Sequence, residues 1–413
     1  MTAPRPRRLV LLASSRSYRN QAFLDAARRL EVEVVTGEDV PLPLLHKTDA
    51  GLPLDYRDIV RSSEAVIAYA REHPVGAILG VDDSGTLLAA RASAALGLPG
   101  NSPDAAQAAR HKHAMRCRFA EAGVPSPRFR LYHVGDDPLR IARETAYPCV
   151  VKPTTLSGSR GVMRADTPED LVARVRRLEK ILAAERCDEI LVEDYVPGAE
   201  VALEGILDGG RLHVLALFDK PDPLEGPFFE ETIYVTPSRL PRAAQERLRE
   251  AASRAAAALG LREGPVHAEL RLNADGPWLV EVAGRSIGGL CSRTLRFGLG
   301  ASLEELILRQ ALGLGFETAP EDGRAAGVLM IPIPKAGILR GVDGIEAVRE
   351  VPLVEDVEIT ARLNYPLLPL PEGDSYLGFI FARGETPQAV EEALRRAHAL
   401  LRFDIADEIA VRS

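Results

Sequence analysis

The sequence predicts a mixed α/β and α+β protein in three parts, and three observations predict it. Over residues 7–105 the runs RLVLLAS, NQAFLDAARRL, EVEVVTG, a helical stretch at 57–73, VGAILGV and a helix at 86–96 alternate strand with helix. That βαβ rhythm builds a small parallel sheet with helices on both faces. Over residues 106–315 the strands instead pair as hairpins around Ser/Gly-rich and Asn-Ala-Asp-Gly turns. After a Gly/Pro-rich boundary at 313–323, GVLMIPIP, ILRGV, VEDVEITARL and LGFIFARG precede a helix at 386–401, an α+β pattern. The expected parts are 1–105, 106–315 with a smaller unit at about 145–195, and 316–413.

A chain of 413 residues can bury several cores, and 46% hydrophobic with 27% charged residues is the composition of a soluble globular protein. No apolar run approaches the ~18 residues of a membrane span. Residues 1–12 place basic residues before a short apolar run, but the polar residues 14–19 cut it off, so residues 9–13 read as a first strand and not as a signal peptide. Cys117, Cys149, Cys187 and Cys291 show no CxxC spacing, which argues against a disulfide framework or zinc site and fits a reducing cytoplasm. A net charge of −8 argues against a nucleic-acid surface, so a small-molecule partner is expected. Only six of the 51 basic residues are Lys, which marks positions where a compact ammonium is needed in place of a planar fork.

In chain order, the first turn (residues 14–19) and Asp82-Asp83-Ser84-Gly85 lie at strand ends, where such sheets bind ligands, although helix caps are the plainer reading of both. A helix capped by Ser102 runs through Lys112. A strand at 148–153 ends in Lys152 and meets the loop TTLSGSRGV, where Ser157, Gly158, Ser159 and Gly161 let backbone N–H groups approach an anion. Two strands then join at 195–199. There Glu193, Asp194, Tyr195 and Val196 offer backbone groups to an adenine and Glu200 an acid to ribose hydroxyls, with surface salt bridges as the alternative. Lys220 precedes a loop at 221–241 whose length marks it as functional.

The stretch 266–289 is the centre of the sequence. Runs at 266–272 and 278–282 flank Asn-Ala-Asp-Gly, so with Asp275 at the midpoint Glu269 and Glu281 face each other on one side of a hairpin. Opposed carboxylates in a partly buried place require a cation, and oxygen ligands without cysteine favour Mg²⁺ or Mn²⁺; an ordinary edge hairpin with solvated acids is the alternative. Arg285 and the pair Gly288-Gly289 follow at the mouth of the hairpin.

In order and spacing, Lys112, VVKP at 150–153 with SGSRGV at 157–162, VEDYVPGAE, HAELRL and VEVAGRSIGG resemble the ATP-grasp superfamily, from about residue 106 to 313. Residues 1–105 resemble its usual N-terminal α/β domain. The tail after 323 resembles the C-terminal subdomain of the L-amino acid ligase branch, which includes carnosine-synthase-like enzymes. The resemblance implies a two-lobed nucleotide-binding core with residues 145–195 as lid. It places Lys112 and Lys152 on the ATP phosphates under the loop 157–161, residues 193–196 on the adenine, and Glu200 on the ribose. It further implies Mg²⁺ (or Mn²⁺) on Glu269 and Glu281, with Glu281 bridging two ions, and Arg285 on a carboxylate substrate and then its acyl phosphate. Lys220 is a candidate for the γ-phosphate, Glu230 and Glu231 for a substrate ammonium, Gly288 and Gly289 for the substrate wall, and His267, beside Glu269, for a substrate contact or support. One position departs from the family pattern: Glu-x-Asn-x-Arg reads Glu281-Val-Ala283-Gly-Arg285, so one metal ligand or oxyanion contact is absent and the second Mg²⁺ site is the one affected, although Mg²⁺ accepts water in place of the amide oxygen.

The implied activity is an ATP-dependent carboxylate–amine ligase acting on amino acids through an acyl phosphate, a cytoplasmic enzyme and a candidate homodimer. A biotin-carboxylase-like enzyme and a non-catalytic ATP-binding protein are the alternatives.

Overall fold

The computed structural model describes residues 6–14, 17–39, 51–185, 187–320 and 322–407. Ser15 and Arg16 of the first turn, and Lys47, lie outside the described residues. Strands β1 (Arg8–Ala13), β2 (Glu33–Glu38), β3 (Gly51–Pro53) and β4 (Ala77–Gly80) form a parallel sheet in the order β3-β2-β1-β4. β1 reads as an unbroken apolar run because both its faces are covered. Leu9 and Leu11 join a core with Phe23, Leu303 and Phe379, while Val10 and Leu12 pack with Val66 and Leu88. One face of the first sheet is thereby fused to the body of the protein.

Strands β5 (Phe129–His133), β6 (Cys149–Pro153), β7 (Met163–Ala165) and β8 (Glu189–Asp194) make an antiparallel sheet in the order β5-β8-β6-β7. The sheet of the expected 145–195 unit thus begins earlier, at β5. Helix Pro168–Leu182, capped by the Thr167 side chain on the Asp170 N–H, covers it with Leu171, Val175, Leu178 and Ile181, a helical spacing of buried positions.

Residues 195–198 carry the chain to a second, larger sheet. It holds β9 (Ala199–Asp208), β10 (Arg211–Asp219), β11 (Ile233–Thr236), β12 (Gly264–Asn273) and β13 (Gly276–Ala283). Then come β14 (Ala325–Ile331), β15 (Gly337–Asp343), β16 (Val354–Ile359), β17 (Pro366–Leu367), β18 (Gly378–Gly384) and β19 (Arg402–Ala406). The eight-stranded order is β13-β12-β9-β10-β11-β14-β18-β16, and β17-β15-β19 form a small separate sheet. The tail is therefore continuous with the core through the β11–β14 ladder, where the sequence pattern suggested a unit of its own.

Alternation on β9 decides what faces the site. Val201, Leu203 and Leu207 enter the core under helix Arg242–Leu259, and the residues alternating with them, Glu200, Ala202 and Glu204, point to the other face. Among the described residues no helix is long and apolar enough to cross a membrane.

Candidate active site

Three neighbouring strands display a polar row. Register places Glu200 opposite Arg271, Ala202 opposite Glu269, and Glu204 opposite His267, while on β13 Glu281 lies opposite Glu269 and Ala283 opposite His267. The facing acids match the sequence expectation, but the turn does not produce them. Asn273 pairs with Gly276 and Leu270 with Leu279, so the turn centres between Ala274 and Asp275. Val280 is then a bulged extra residue that brings Glu281 level with Glu269. In an unbroken ladder Glu281 would point to the opposite face. The Val280 carbonyl accepts a hydrogen bond from Arg116 Nη2 at 2.6 Å.

On the lid side, Lys152 Nζ lies 2.6 Å from Glu193 Oε2, and Arg116, fully buried, donates to both oxygens of that carboxylate at 2.7 and 3.2 Å. Burial pulls the Lys152 ammonium below its ordinary range despite Glu193, and Arg116 and Lys112 add to the depression. Burial would raise Glu193, but Arg116 and Lys152 outweigh it and hold its carboxyl low. The Glu193 side chain lines the cavity with residues 194–196 and is engaged by cations, so it anchors Lys152. One helical turn before Arg116, Lys112 Nζ donates to the Leu156 carbonyl at 2.8 Å and to Glu281 Oε1 at 3.2 Å.

The phosphate-type loop takes left-handed backbone at Gly158, Ser159 and Gly161 (φ +62°, +55° and +75°). Ser157, Gly158 and Ser159 face the cavity. Gly161 does not: its N–H donates to the Pro371 carbonyl, and a Cβ there would press on Leu178 and Pro153.

On the body side, Lys220 Nζ sits among three acids. It donates to Glu200 Oε1 at 2.8 Å and to Glu231, and Glu269 Oε1 lies at 3.4 Å. Arg271 Nε binds the other oxygen of Glu200 at 2.8 Å, so the carboxylate expected on a ribose is held by two cations. Burial would lower the Lys220 ammonium, yet the three carboxylates raise it well above its ordinary value. Burial raises Glu231, whereas Lys220 and His267 overcome burial at Glu269 and hold it well below the carboxylate range. Lys220 lies beneath the acids and not on the cavity wall, which corrects its expected reach to a γ-phosphate. Glu230 is corrected too: it lies off the wall, where it accepts a hydrogen bond from the Ile333 backbone. His267 Nδ1 lies 3.1 Å from the fully buried Glu204 and its Nε2 lies 3.7 Å from Glu269, so it braces the acid from behind. Glu204 also accepts from the Ile287 N–H at 3.1 Å.

At the mouth, Arg285 Nε pairs with Asp83 Oδ2 at 2.9 Å. Burial would raise the Asp83 carboxyl, but Arg285 keeps it low. The buried Arg19 joins Asp82 (3.0 Å) and the Val81 carbonyl to the Ser286 and Ile287 carbonyls (both 2.9 Å). The Asp82-Asp83 turn, read as a cap, is thus part of the site, and the Asp82 side chain makes no capping bond. Asp194, Tyr195, Val196, Gly288 and Gly289 complete a cavity of about 1210 Å³. Arg116, Arg271 and Glu204 were not foreseen, and Arg19 was read only as part of the turn at 14–19. Spacing held a signal for the first three: Arg116 is four residues past Lys112 on a helix, and Arg271 and Glu204 share strand parity with Glu269 and Glu200.

A small lid sheet set against a large sheet, with cations on one wall of the cleft and acids on the other, defines a two-lobed nucleotide-binding class. Residues 145–294 match the ATP-grasp domain, residues 24–100 the ATP-grasp N-terminal domain, and residues 329–406 the L-amino acid ligase C-terminal domain 2. The chain is 29% identical over 239 residues to alanine–anticapsin ligase of Bacillus subtilis, covering 53% of this chain and 50% of that protein. It is 30% identical over 315 residues to carnosine synthase 1 of Gallus gallus, covering 70% of this chain and 34% of that protein. The crystal structure of L-amino acid ligase from Bacillus licheniformis superposes with a TM-score of 0.81 at 26% identity, covering 98% of this chain and 100% of that one. The chain spans 50–62% of the length of the first curated relatives it matches. It belongs to the ATP-grasp superfamily and is related to its L-amino acid ligases.

Proposed function

We propose that this protein is an ATP-dependent carboxylate–amine ligase that joins amino-acid substrates through an acyl phosphate and releases ADP and phosphate. The observation that carries the reading is the gathering of opposite charges around one cavity: Lys152 on the lid sheet, Lys112 on the helix before it and in contact with Glu281, Glu269 and Glu281 on the large sheet, and Arg285 at the open end. At about 1210 Å³ the cavity exceeds the ~300–1,000 Å³ of a site for one small ligand, so it has room for a nucleotide and its co-substrates. The named activities of the ligase relatives agree with this.

Lys112 and Lys152 bind phosphate oxygens, and the loop at 157–159 covers them and excludes water. Glu269 and Glu281 fit Mg²⁺, since two facing carboxylates now held by ammonium groups are hard oxygen donors, and the ion supplies charge neutralisation on the transferring phosphoryl group. Arg285, fixed by Asp83, orients the substrate carboxylate. A carboxylate oxygen bonds to the γ-phosphorus as the bond to ADP breaks. An amine then attacks the acyl carbon, the C–N bond forms, phosphate leaves, and the amine loses its proton. Glu231, facing the cavity, holds the substrate ammonium.

Phosphate release from ATP in mixtures of amino acids tests the reading, with Glu281→Gln as the blank. Amine-dependent release with amide product supports it. Release that depends on bicarbonate would mean a carboxylase, and tight ATP binding without release would mean a sensor.

A further inference from the structure

The turn at residues 369–376, from the C-terminal part of the chain, is fastened to the lid at three points. The Gly161 N–H donates to the Pro371 carbonyl at 2.9 Å, and Arg160 Nε donates to the Glu372 carbonyl at 2.8 Å. Arg177, on the lid helix, donates from Nε and Nη2 to the two carboxylate oxygens of Glu372 at 2.7 and 2.8 Å, the forked geometry of a strong pair. Gly158 of the phosphate-type loop approaches Asp374 so closely that a Cβ would stand 3.3 Å from the Asp374 Cβ.

The same turn reaches the other half of the cavity within four residues. Asp374, Ser375 and Tyr376 line the cavity, and the Tyr376 ring lies 6.0 Å from Phe379, the ring against which Gly289 packs. The turn is stiff: the Gly373 N–H donates to the Pro369 carbonyl at 2.9 Å, and a Cβ at Gly373 would run into the Leu368 carbonyl. A stiff turn held at one end by the lid moves its other end with the lid.

Resting on the ligase reading, we infer that Glu372 is a positioning residue. It ties the turn that walls the substrate half of the cavity to the loop over the phosphates, so nucleotide binding shapes the substrate pocket. Phosphoryl transfer thereby waits for a complete pocket, and ATP is protected from water when the second half is empty.

Backbone amide exchange on the full-length chain tests this with Mg-ATP alone. In the parent protein, Mg-ATP slows exchange across 157–161 and 369–376 together. In Glu372→Gln it slows only 157–161, and the apparent KM for amino-acid substrates rises about fivefold, the scale of one ion pair, while the KM for ATP stays within about twofold. The reversed pair Glu372→Arg with Arg177→Glu restores the joint response. The inference is overturned if 369–376 never responds to Mg-ATP, if Glu372→Gln leaves the joint response intact, or if the reversed pair is as impaired as the single variant. A joint response through Glu372 without amino-acid-dependent phosphate release would retire the ligase reading and leave this link standing. Release with an unaltered response in Glu372→Gln would do the reverse.

Discussion

Lys152 and Lys220 are both buried, both paired to glutamate and both set at strand ends, yet their surroundings push them in opposite directions. Burial lowers each ammonium. Around Lys152, Arg116 and Lys112 crowd a single acid, Glu193, and the depression stands. Around Lys220, three acids reverse it. One wall of the cavity is short of anions and the other short of cations. A polyphosphate carrying a divalent ion supplies both deficits at once, and a free amino acid supplies neither in full.

The sharpest way to break this comparison is Lys220→Met. Removing one partner from a buried charged group costs about 3–5 kcal/mol, and here three carboxylates lose their common cation. Oxygens of Glu200, Glu231 and Glu269 lie within 4.8 Å of one another, a spacing a hard divalent cation can bridge. The variant is expected to melt far below the parent and to regain more stability from Mg²⁺ or Mn²⁺ than the parent gains. A variant that melts with the parent would show that Lys220 does not hold the acids.

Glu281→Gln comes next. It keeps shape and removes the charge opposite Glu269, so phosphate release should fall about 100-fold with the fold intact. Turnover within a few-fold of the parent, with an unchanged circular dichroism spectrum, would end the metal assignment.

How far these walls were legible follows from what a sequence encodes locally. Strand and helix periodicity exposed the parallel N-terminal sheet, the lid hairpin and the central hairpin, because each repeats within a dozen residues. The pairing of Glu269 with Glu281 came out correctly for an incorrect reason, since it depends on a bulge at Val280, whose carbonyl is bound by Arg116, more than 160 residues away. Sequence separation also hid the Asp82-Asp83 contribution, which depends on Arg19 pairing with Asp82 and on Arg285, 202 residues on, pairing with Asp83. Lys220 was legible as a position and not as a partner: nothing local shows that three acids from β9, β12 and the 221–232 loop surround it.

Lys152→Met tests the cation-rich wall with a smaller effect. Glu193 keeps both donors of Arg116, and a buried ammonium of depressed pKa is removed, so stability should hardly change. Affinity for ATP should fall about tenfold, the loss of one charge-assisted contact. Calorimetric titration with Mg-ATP measures it, and equal loss of melting temperature and affinity would place Lys152 with Lys220 as a structural cation.

His267→Gln carries the smallest effect and a pH signature. Burial would lower the His267 imidazole, but the hydrogen bond with Glu204 and the nearby Glu269 carboxylate outweigh it and raise its pKa above the ordinary value near 6.5. A raised folded value means that the folded state binds the proton more tightly than the unfolded chain. Its stabilisation is therefore full below about pH 6.5 and is lost as pH rises through the folded value. Glu204, raised by burial, shifts in the same sense. Metal-free parent and variant should differ by about 1.5 kcal/mol near pH 5.5, the scale of a hydrogen bond to a charged group, and the gap should close as pH rises through the folded value. Urea unfolding at several pH values measures the difference. A gap that is flat or widens with pH would mean that His267 is neutral in the folded protein, and that the acid-rich wall around Lys220 does not extend its pull to the imidazole.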